Sequence, residues 1–398
     1  MARRAAYIRS VLVKDGNVFI LDAGSVFGDP GLHGQLKAEV SVKAMEMMSY
    51  DAMNLGGHEL NYGDSFLRGG EFICNSSQST TLPTVSANIV YEDTGEPITA
   101  PFKKIEKDEG PTVGIIGITA KEFEASILDS NQINDRTVTV IDEETALNAA
   151  VMAIKDEVDI LVVLADVRYE QCRSLAQKAE DIDVIVCAHG VALTEEPEQV
   201  NGVYLVQAGY EGQTIGNVTL TLGKDHRIRT AEGTVITLDD TIDDNQPDVQ
   251  ALLNEYYTCL EEHKEALLND EQIDPVEGGY YTGYAACRNC HRQQTDQWLS
   301  TAHARAFTTL TARSQDYNPE CIPCHTTGFS YTGGFIMPDL TSEMEGVQCE
   351  MCHGAGGDHV QNESVPLGII SQDICTTCHT PERSPQFDYP TDYLKIIH

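Results

Sequence analysis

The stretch Cys287-Arg-Asn-Cys290-His291 begins a region in which the pattern Cys-x-x-Cys-His occurs four times. The other copies are Cys321-Ile-Pro-Cys324-His325, Cys349-Glu-Met-Cys352-His353 and Cys375-Thr-Thr-Cys378-His379. This spacing is typical of c-type haem attachment, in which two thiols add across the porphyrin vinyl groups and the adjacent imidazole binds the iron. We therefore predict four covalently bound haem c groups, with the eight motif cysteines as attachment sites and the four motif histidines as proximal ligands.

A set of zinc knuckles is the alternative for these cysteine pairs, because Cys-x-x-Cys also builds tetrahedral thiolate sites. Zinc does not require a histidine directly after the second cysteine, and every pair here has one. The pattern therefore favours a tetrahaem cytochrome module.

The composition restricts the partners. The 62 acidic and 26 basic residues give a formal charge of -36, which argues against binding to nucleic acid or to anionic lipid. Such a surface suits a cationic redox partner, although an ordinary solvated surface would look the same. Further copies of the chain are a second kind of partner to expect.

No stretch of about 18 apolar residues occurs, so no membrane-spanning segment is expected. The first residues lack the apolar core of a secretory signal, whereas c-type haem is attached outside the energy-transducing membrane. We expect a periplasmic or extracellular protein whose sequence here begins downstream of its natural N-terminus. The remaining cysteines stand singly and are expected to be buried thiols, with a disulfide left open: Cys74, Cys172, Cys187 and Cys259.

Residues 1–245 show alternating strand and helix patterns, which indicate a layered α/β domain. Strands are predicted at Val18–Asp22, Tyr50–Gly56, Thr84–Val90, Thr112–Gly117, Ile160–Leu164, Val184–Cys187, Val203–Ala208, Ile215–Leu222 and Thr234–Leu238, the last three as closing antiparallel strands. Helices are predicted at Leu36–Ser49, Glu143–Lys155 and Tyr169–Lys178. Residues 246–276 are predicted to form a helical linker, and residues 277–398 a mainly helix-and-loop haem domain.

The haem region resembles the tetrahaem cytochrome c-554 family. The resemblance is carried by the four motifs, by Trp298-Leu-Ser-Thr-Ala-His-Ala-Arg-Ala-Phe307, and by Gly346-Val-Gln-Cys-Glu-Met-Cys-His-Gly354. Cys324-His-Thr-Thr-Gly-Phe329 and Cys378-His-Thr-Pro-Glu382 add to it. Outside the motifs this region holds His303, His359 and His398, which we predict to be distal iron ligands.

Three distal candidates for four irons leave one iron without a second histidine. The resemblance implies one five-coordinate haem, and the order of the motifs assigns it to Cys321, Cys324 and His325. His189, His226, His263 or a neighbouring subunit remain alternative sources of the missing ligand.

The first domain resembles the metallophosphoesterase domain of the 5′-nucleotidase family. The residues that carry this are Leu21-Asp-Ala-Gly-Ser-Val-Phe-Gly28, Tyr50-Asp-Ala-Met-Asn-Leu-Gly-Gly-His-Glu59, Leu82-Pro with Ser86-Ala-Asn-Ile-Val90, Val113-Gly-Ile-Ile-Gly-Ile-Thr119 and Asp183-Val-Ile-Val-Cys-Ala-His189. The family's Asp-x-His strand would lie before residue 1.

Several of the metal ligands that this resemblance implies are replaced. Ser25 stands at the bridging Asp, Gly57 at the Asn, Ala165-Asp166 at the Ser-His, and Val191 at the second His of the Gly-His-x-His signature. Ser, Gly and Ala do not hold a hard dication well, so we predict a scaffold that has lost its hydrolytic site. Asp22 and Asp166 could still support one weakly bound metal, while His58 and His189 are expected to be structural.

The combined prediction is an exported tetrahaem electron-transfer protein whose silent first domain serves docking or assembly. One alternative is a redox enzyme acting on a small nitrogen or sulfur compound at the open haem. A second is a 5′-nucleotidase-like hydrolase coupled to a cytochrome.

Overall fold

A computed structural model describes residues 1–13, 17–28, 31–60, 62, 72–74, 82–107, 110–122, 132–133, 136–190, 192–268, 272–275, 277–381 and 383–398. The chain divides into two compact units, Met1–Leu253 and Asn254–His398. Val191 and Glu382 lie outside the described residues. Among the residues that are described, no helix is both long and apolar enough to cross a membrane.

Unit one is built from short and medium strands with helices between them. Its strands are β1 Leu21–Asp22, β2 Ala52–Asn54, β3 Thr84–Val85, β4 Ile89–Tyr91, β5 Phe102–Ile105, β6 Val113–Thr119, β7 Gln132–Ile133, β8 Arg136–Val140, β9 Ile160–Arg168, β10 Val184–His189, β11 Glu198–Val200, β12 Val203–Val206, β13 Thr214–Leu222 and β14 Ile228–Thr237. Its helices are α1 Ala2–Leu12, α2 Leu32–Met47, α3 Gly57–Leu60, α4 Glu143–Ile154 and α5 Tyr169–Lys178. Helix α6, Pro247–Glu262, crosses the boundary between the units.

A six-stranded sheet in the order β11-β12-β10-β9-β6-β5 forms the centre of unit one. Strands β6, β9, β10 and β12 are parallel, and their apolar runs are buried on both faces, as expected for a covered parallel sheet. One face packs against α4 and α5 around Leu147, Ile154 and Leu175. The other face packs against the β1-β2-β3 sheet and the β13-β14 hairpin. The predicted α/β layering is therefore confirmed.

Two predicted strands pair differently from the prediction. The segment Thr84–Val90 is not one strand, because Ser86 and Asn88 interrupt it and β3 and β4 belong to different sheets. The segment Val203–Ala208 was expected among the closing antiparallel strands, but β12 pairs in parallel with β10 and antiparallel only with β11. Polar residues divide the first of these segments, and the position of β12 beside β10 decides the pairing of the second. The pattern of apolar residues determines neither feature.

Unit two consists of short helices joined by loops. The helices are α7 Lys264–Leu268, α8 Tyr284–Cys287, α9 Arg292–Trp298, α10 Ala306–Thr311, α11 Ile322–His325, α12 Cys349–His353, α13 Gly357–Gln361, α14 Gln372–Thr376 and α15 Tyr389–Asp392. Its small apolar core includes Phe307, Ile322, Phe335 and Met344. So few buried apolar side chains suit a unit whose interior is completed by bound groups.

Candidate haem centres and a carboxylate cluster

Each Cys-x-x-Cys-His motif of unit two forms a tight helical turn. The N–H groups of His291 and His379 donate to the carbonyls of Cys287 and Cys375 at 2.8 and 2.9 Å. Residues three and four positions apart lie on one side of such a turn, which places both thiols and the imidazole together. All eight motif cysteines are free thiols.

The three histidines predicted as distal ligands each face a motif histidine. The ring centroids are 6.1 Å apart for His291 and His359, 6.1 Å for His303 and His379, and 5.8 Å for His353 and His398. With ring bonds of about 1.33 Å and metal–nitrogen bonds of about 2 Å, two imidazoles on opposite sides of one metal have centroids about 6 Å apart. The three pairs therefore have the separation that an iron between them requires.

Hydrogen bonds also orient most of these rings. Nδ1 of His353, His359 and His398 donates to the carbonyls of Gly368, Val365 and Ile396 at 3.2, 2.7 and 3.4 Å. Because a carbonyl only accepts, Nδ1 carries the hydrogen and Nε2 keeps its lone pair for a metal. Nδ1 of His379 is 3.0 Å from Ser384 Oγ.

His325 has the same orientation but no paired imidazole. Its Nδ1 donates to the Ala306 carbonyl at 2.8 Å and lies 3.3 Å from Thr309 Oγ1. Within the described residues of unit two, no other histidine ring pairs with it. The structure thus separates His325 from the other three motif histidines.

Several apolar side chains lie beside His353 and His398. A cavity of about 290 Å³ is lined by His353, Gly368, Ile369, Ile370, Tyr393, Ile397 and His398. Ile369 is 92% exposed, which is unusual for a large apolar side chain and indicates a surface that a planar hydrophobic group would cover. The residues that line the cavity beside His353 and His398 therefore fit a porphyrin.

The motif thiols interact with one another across the unit. A hydrogen bond to Cys349 and burial raise the pKa of Cys287, whereas a hydrogen bond from Cys324 lowers the pKa of Cys378 to about 6. Burial, with Cys375 and Cys378 nearby, raises the pKa of Cys352 to about 11. The first motif is therefore adjacent to the third, the third to the fourth, and the fourth to the second.

Two buried polar residues hold the first motif against the third. Glu350, 2% exposed, accepts the N–H groups of Thr282, Gly283 and Gly356 at 2.7–3.1 Å. Gln348 accepts the Tyr284 N–H at 2.6 Å. Sequence reasoning missed this role, because Glu350 is one of the variable positions inside a Cys-x-x-Cys-His motif.

In unit one the residues named from the family ligand positions do come together. Ser25 Oγ donates to Asp166 Oδ2 at 2.7 Å, and the Gly57 N–H donates to the same oxygen at 3.1 Å. Asp166 is fully buried, and its Oδ1 has no hydrogen-bond partner among the residues that the structure describes and lies 3.8 Å from His189 Nδ1. Burial raises the pKa of Asp166.

Two further carboxylates complete this cluster. Glu59 accepts the N–H groups of Ser25, Val26, Phe27 and Gly56 at 2.7–3.1 Å, and burial raises its pKa to about 7. Burial also raises the pKa of Asp22, whose Oδ1 accepts the Gly24 N–H, while the Arg4 guanidinium opposes that shift. His58 is a structural residue that donates from Nδ1 to the Phe27 carbonyl at 2.9 Å.

These contacts do not fit a dinuclear metal centre. Glu59 is used by four backbone groups, and Asp166 Oδ2 is used by Ser25 and Gly57. Within the described residues, no three His, Cys, Asp or Glu side chains are grouped as a metal site.

Residues 286–354 match the sequence family described as cytochrome c554 and c-prime. Cytochrome c-554 of Nitrosomonas europaea is 33% identical over 98 residues, covering 20% of this chain and 42% of that protein. The C-terminal unit resembles cytochrome c-554. This similarity implies covalently bound c-type haem, in agreement with the motif spacing.

The N-terminal region resembles proteins of another kind. Endonuclease YhcR of Bacillus subtilis (strain 168) is 29% identical over 294 residues, which covers 69% of this chain but only 24% of that protein. The 5′-nucleotidase precursor of Thermus thermophilus superposes with a TM-score of 0.54 at 24% identity, over 69% of this chain and 54% of that one. Unit one therefore has the phosphoesterase fold that its sequence predicted, although the chain spans less than half of each relative compared by sequence.

Proposed function

We propose that this protein is an exported electron carrier with four covalently bound haem c groups. The observation that carries the proposal is the set of three imidazole pairs at 5.8–6.1 Å, each joining a motif histidine to one other histidine. His291 with His359, His353 with His398, and His379 with His303 would each hold one iron from both sides. Two imidazoles keep an iron low-spin, which suits electron transfer.

The order of the attachment sites supports charge movement through unit two. Cys287 lies near Cys349, Cys352 lies near Cys375 and Cys378, and Cys378 lies near Cys324. Haem groups at these motifs would form a row from the first motif through the third and the fourth to the second, which holds His325.

Unit one serves as a catalytically silent domain for docking or assembly. Ser25 and Gly57 occupy two ligand positions and hydrogen-bond Asp166, so the bridging carboxylate and amide of a hydrolytic centre are missing. A 5′-nucleotidase-like hydrolase is the competing hypothesis for this unit. This hypothesis predicts that the purified protein releases phosphate from nucleoside monophosphates in the presence of Mn²⁺ or Zn²⁺. We expect no phosphate release above background.

An exported location and a cationic partner are supported by two features. Cys172 and Cys187 form a disulfide between α5 and β10, which persists in oxidising compartments. The formal charge of -36 favours association with a positively charged redox protein, and other copies of the chain are the second partner to test.

The test is expression with a cytochrome c maturation system, followed by intact mass and EPR spectroscopy. We expect a mass increase of four haem groups, with three low-spin ferric signals and one high-spin signal. Fewer attached haems, or a carrier without low-spin signals, would refute the proposal. Four low-spin signals would refute only the open position at His325.

The second candidate is a redox enzyme that acts on a small nitrogen or sulfur compound. The observation in its favour is His325, which lacks a paired imidazole within the described residues of unit two. An open iron admits small molecules. Binding of nitric oxide to one haem, with turnover in the presence of a reductant, would favour this enzyme over a carrier.

A further inference from the structure

Arg383 follows the fourth motif and reaches back to the second. Its Nη1 donates to the carbonyl of Glu320, the residue before Cys321, at 2.8 Å. The guanidinium also interacts electrostatically with the thiols of Cys321, Cys324 and Cys378, while the Glu320 carboxylate acts on Cys321 with the opposite sign. A positive charge thus lies beside thiols of the second and fourth motifs.

The first and third motifs have the opposite neighbour. Glu350 is buried between them, and its carboxylate places a negative charge near the thiols of Cys287 and Cys349. Its contacts are all with donors: the N–H groups of Thr282, Gly283 and Gly356, and the Thr282 hydroxyl. The first and third motifs therefore share the buried anion Glu350, whereas the second and fourth share the cation Arg383, which Glu320 opposes at Cys321.

We propose that Glu350 and Arg383 set a reduction-potential difference between the two halves of the row of attachment sites, with the higher potential at the second and fourth motifs. A nearby cation favours the reduced form of a redox centre and a nearby anion disfavours it, because reduction adds one negative charge. Electrons entering at the Cys287 end would therefore accumulate toward the His325 end. This inference rests on the proposed function, since it requires haem at all four motifs.

The two charges differ in their exposure. Glu350 is 2% exposed and is screened little by solvent, whereas Arg383 is exposed and is screened more. Arg383 also ties two segments together through its hydrogen bond, so its charge and its structural role must be separated. A lysine keeps the charge and loses the planar fork, and a glutamine removes the charge.

The experiment is a redox titration of the fully haem-loaded protein, followed by optical spectra and by the high-spin ferric EPR signal. In Arg383→Gln we expect the midpoints of two haems, including the high-spin one, to fall. The expected change is about threefold to tenfold in the reduction equilibrium, where tenfold is 59 mV for one electron. Arg383→Lys should keep most of the wild-type values, and Glu350→Gln should raise the midpoints of the other two haems.

Arg292→Gln is the matched control, because Arg292 has a side chain that is 80% exposed beside the first motif. It should leave the high-spin midpoint unchanged. Unchanged midpoints in Arg383→Gln at full haem content, or equal shifts in Arg383→Lys and Arg383→Gln, would overturn the inference. A wild-type protein without a high-spin signal would instead contradict the proposed open site, and the optical midpoints would still test Arg383.

Discussion

Single histidines carry the proposal for unit two, because three of the proposed iron sites need one ring on each side of the metal. The carbonyl bonds of His353, His359 and His398 select Nε2 as the free nitrogen of each ring. The proposed ligand role of each of these residues thus rests on two independent observations, the ring separation and the Nδ1 partner.

Replacing His398 with alanine should open a second iron. We expect His398→Ala to carry two high-spin haems and to bind two carbon monoxide molecules, where the unsubstituted protein binds one, since His353 would lose its paired ring. EPR and carbon monoxide titration measure both numbers. His263→Ala is the control, because within the described residues no other imidazole ring is paired with His263. An unaltered spectrum in His398→Ala would exclude His398 as a ligand.

Glu59 should make unit one less stable as the pH rises. Its pKa is raised from 4.5 to about 7 in the folded state, so the folded protein holds this proton more tightly than the unfolded chain. The stabilisation is complete below pH 4.5 and is lost as pH increases to about 7, by roughly 3 kcal/mol. Urea unfolding followed by far-UV circular dichroism between about pH 4.5 and 7.5 measures this slope.

Glu59→Gln is the matched variant for this titration. It cannot ionise, so its unfolding free energy should vary less with pH over the same range. Its absolute stability should be lower, because an amide N–H₂ would face backbone donors such as those of Val26 and Gly56. An equal pH slope in both proteins would show that another group, such as Asp22 or Asp166, is responsible.

At the scale of elements, apolar runs predicted the sheet centre well. The helix over Tyr169–Lys178 was predicted with its observed bounds, and β6, β9 and β10 lie where the buried runs indicated. The strands β5, β8 and β11 are short and partly exposed, with mixed polar and apolar residues, so periodicity could not identify them. The strand predicted at Val18–Asp22 is observed only at Leu21–Asp22, because only those residues pair with β2.

The Cys-x-x-Cys-His residues could be predicted because haem attachment fixes their spacing. The pairing of the imidazole rings could not be predicted from the sequence. Which of His303, His359 and His398 faces which motif depends on long-range packing, with separations in sequence of 45–76 residues. The roles of Glu350 and Arg383 depend on contacts between motifs, which no local pattern encodes.

The disulfide between α5 and β10 should stabilise the central sheet of unit one. It joins residues 15 positions apart, and closing a loop of that size stabilises a fold by about 3 kcal/mol in the chain-entropy account. We expect Cys172→Ala, Cys187→Ala and the double variant to lose similar amounts, measured as the urea midpoint without reductant. With reductant the unsubstituted protein should approach the variants. A midpoint insensitive to all of these changes would show that the bond contributes nothing.

The whole molecule is strongly acidic, and this charge should control how fast electrons leave it. A formal charge of -36 attracts a cationic acceptor over distances set by the Debye length, about 10 Å at 0.1 M salt. We expect stopped-flow oxidation by hexaamminecobalt(III) to slow severalfold between about 10 mM and 300 mM salt, and oxidation by ferricyanide to accelerate. Neutral quinones, whose encounter does not depend on charge, provide the control. An identical salt dependence for all three acceptors would mean that the overall charge does not act at the site where electrons leave the protein. A cationic partner would then have no electrostatic advantage at that site.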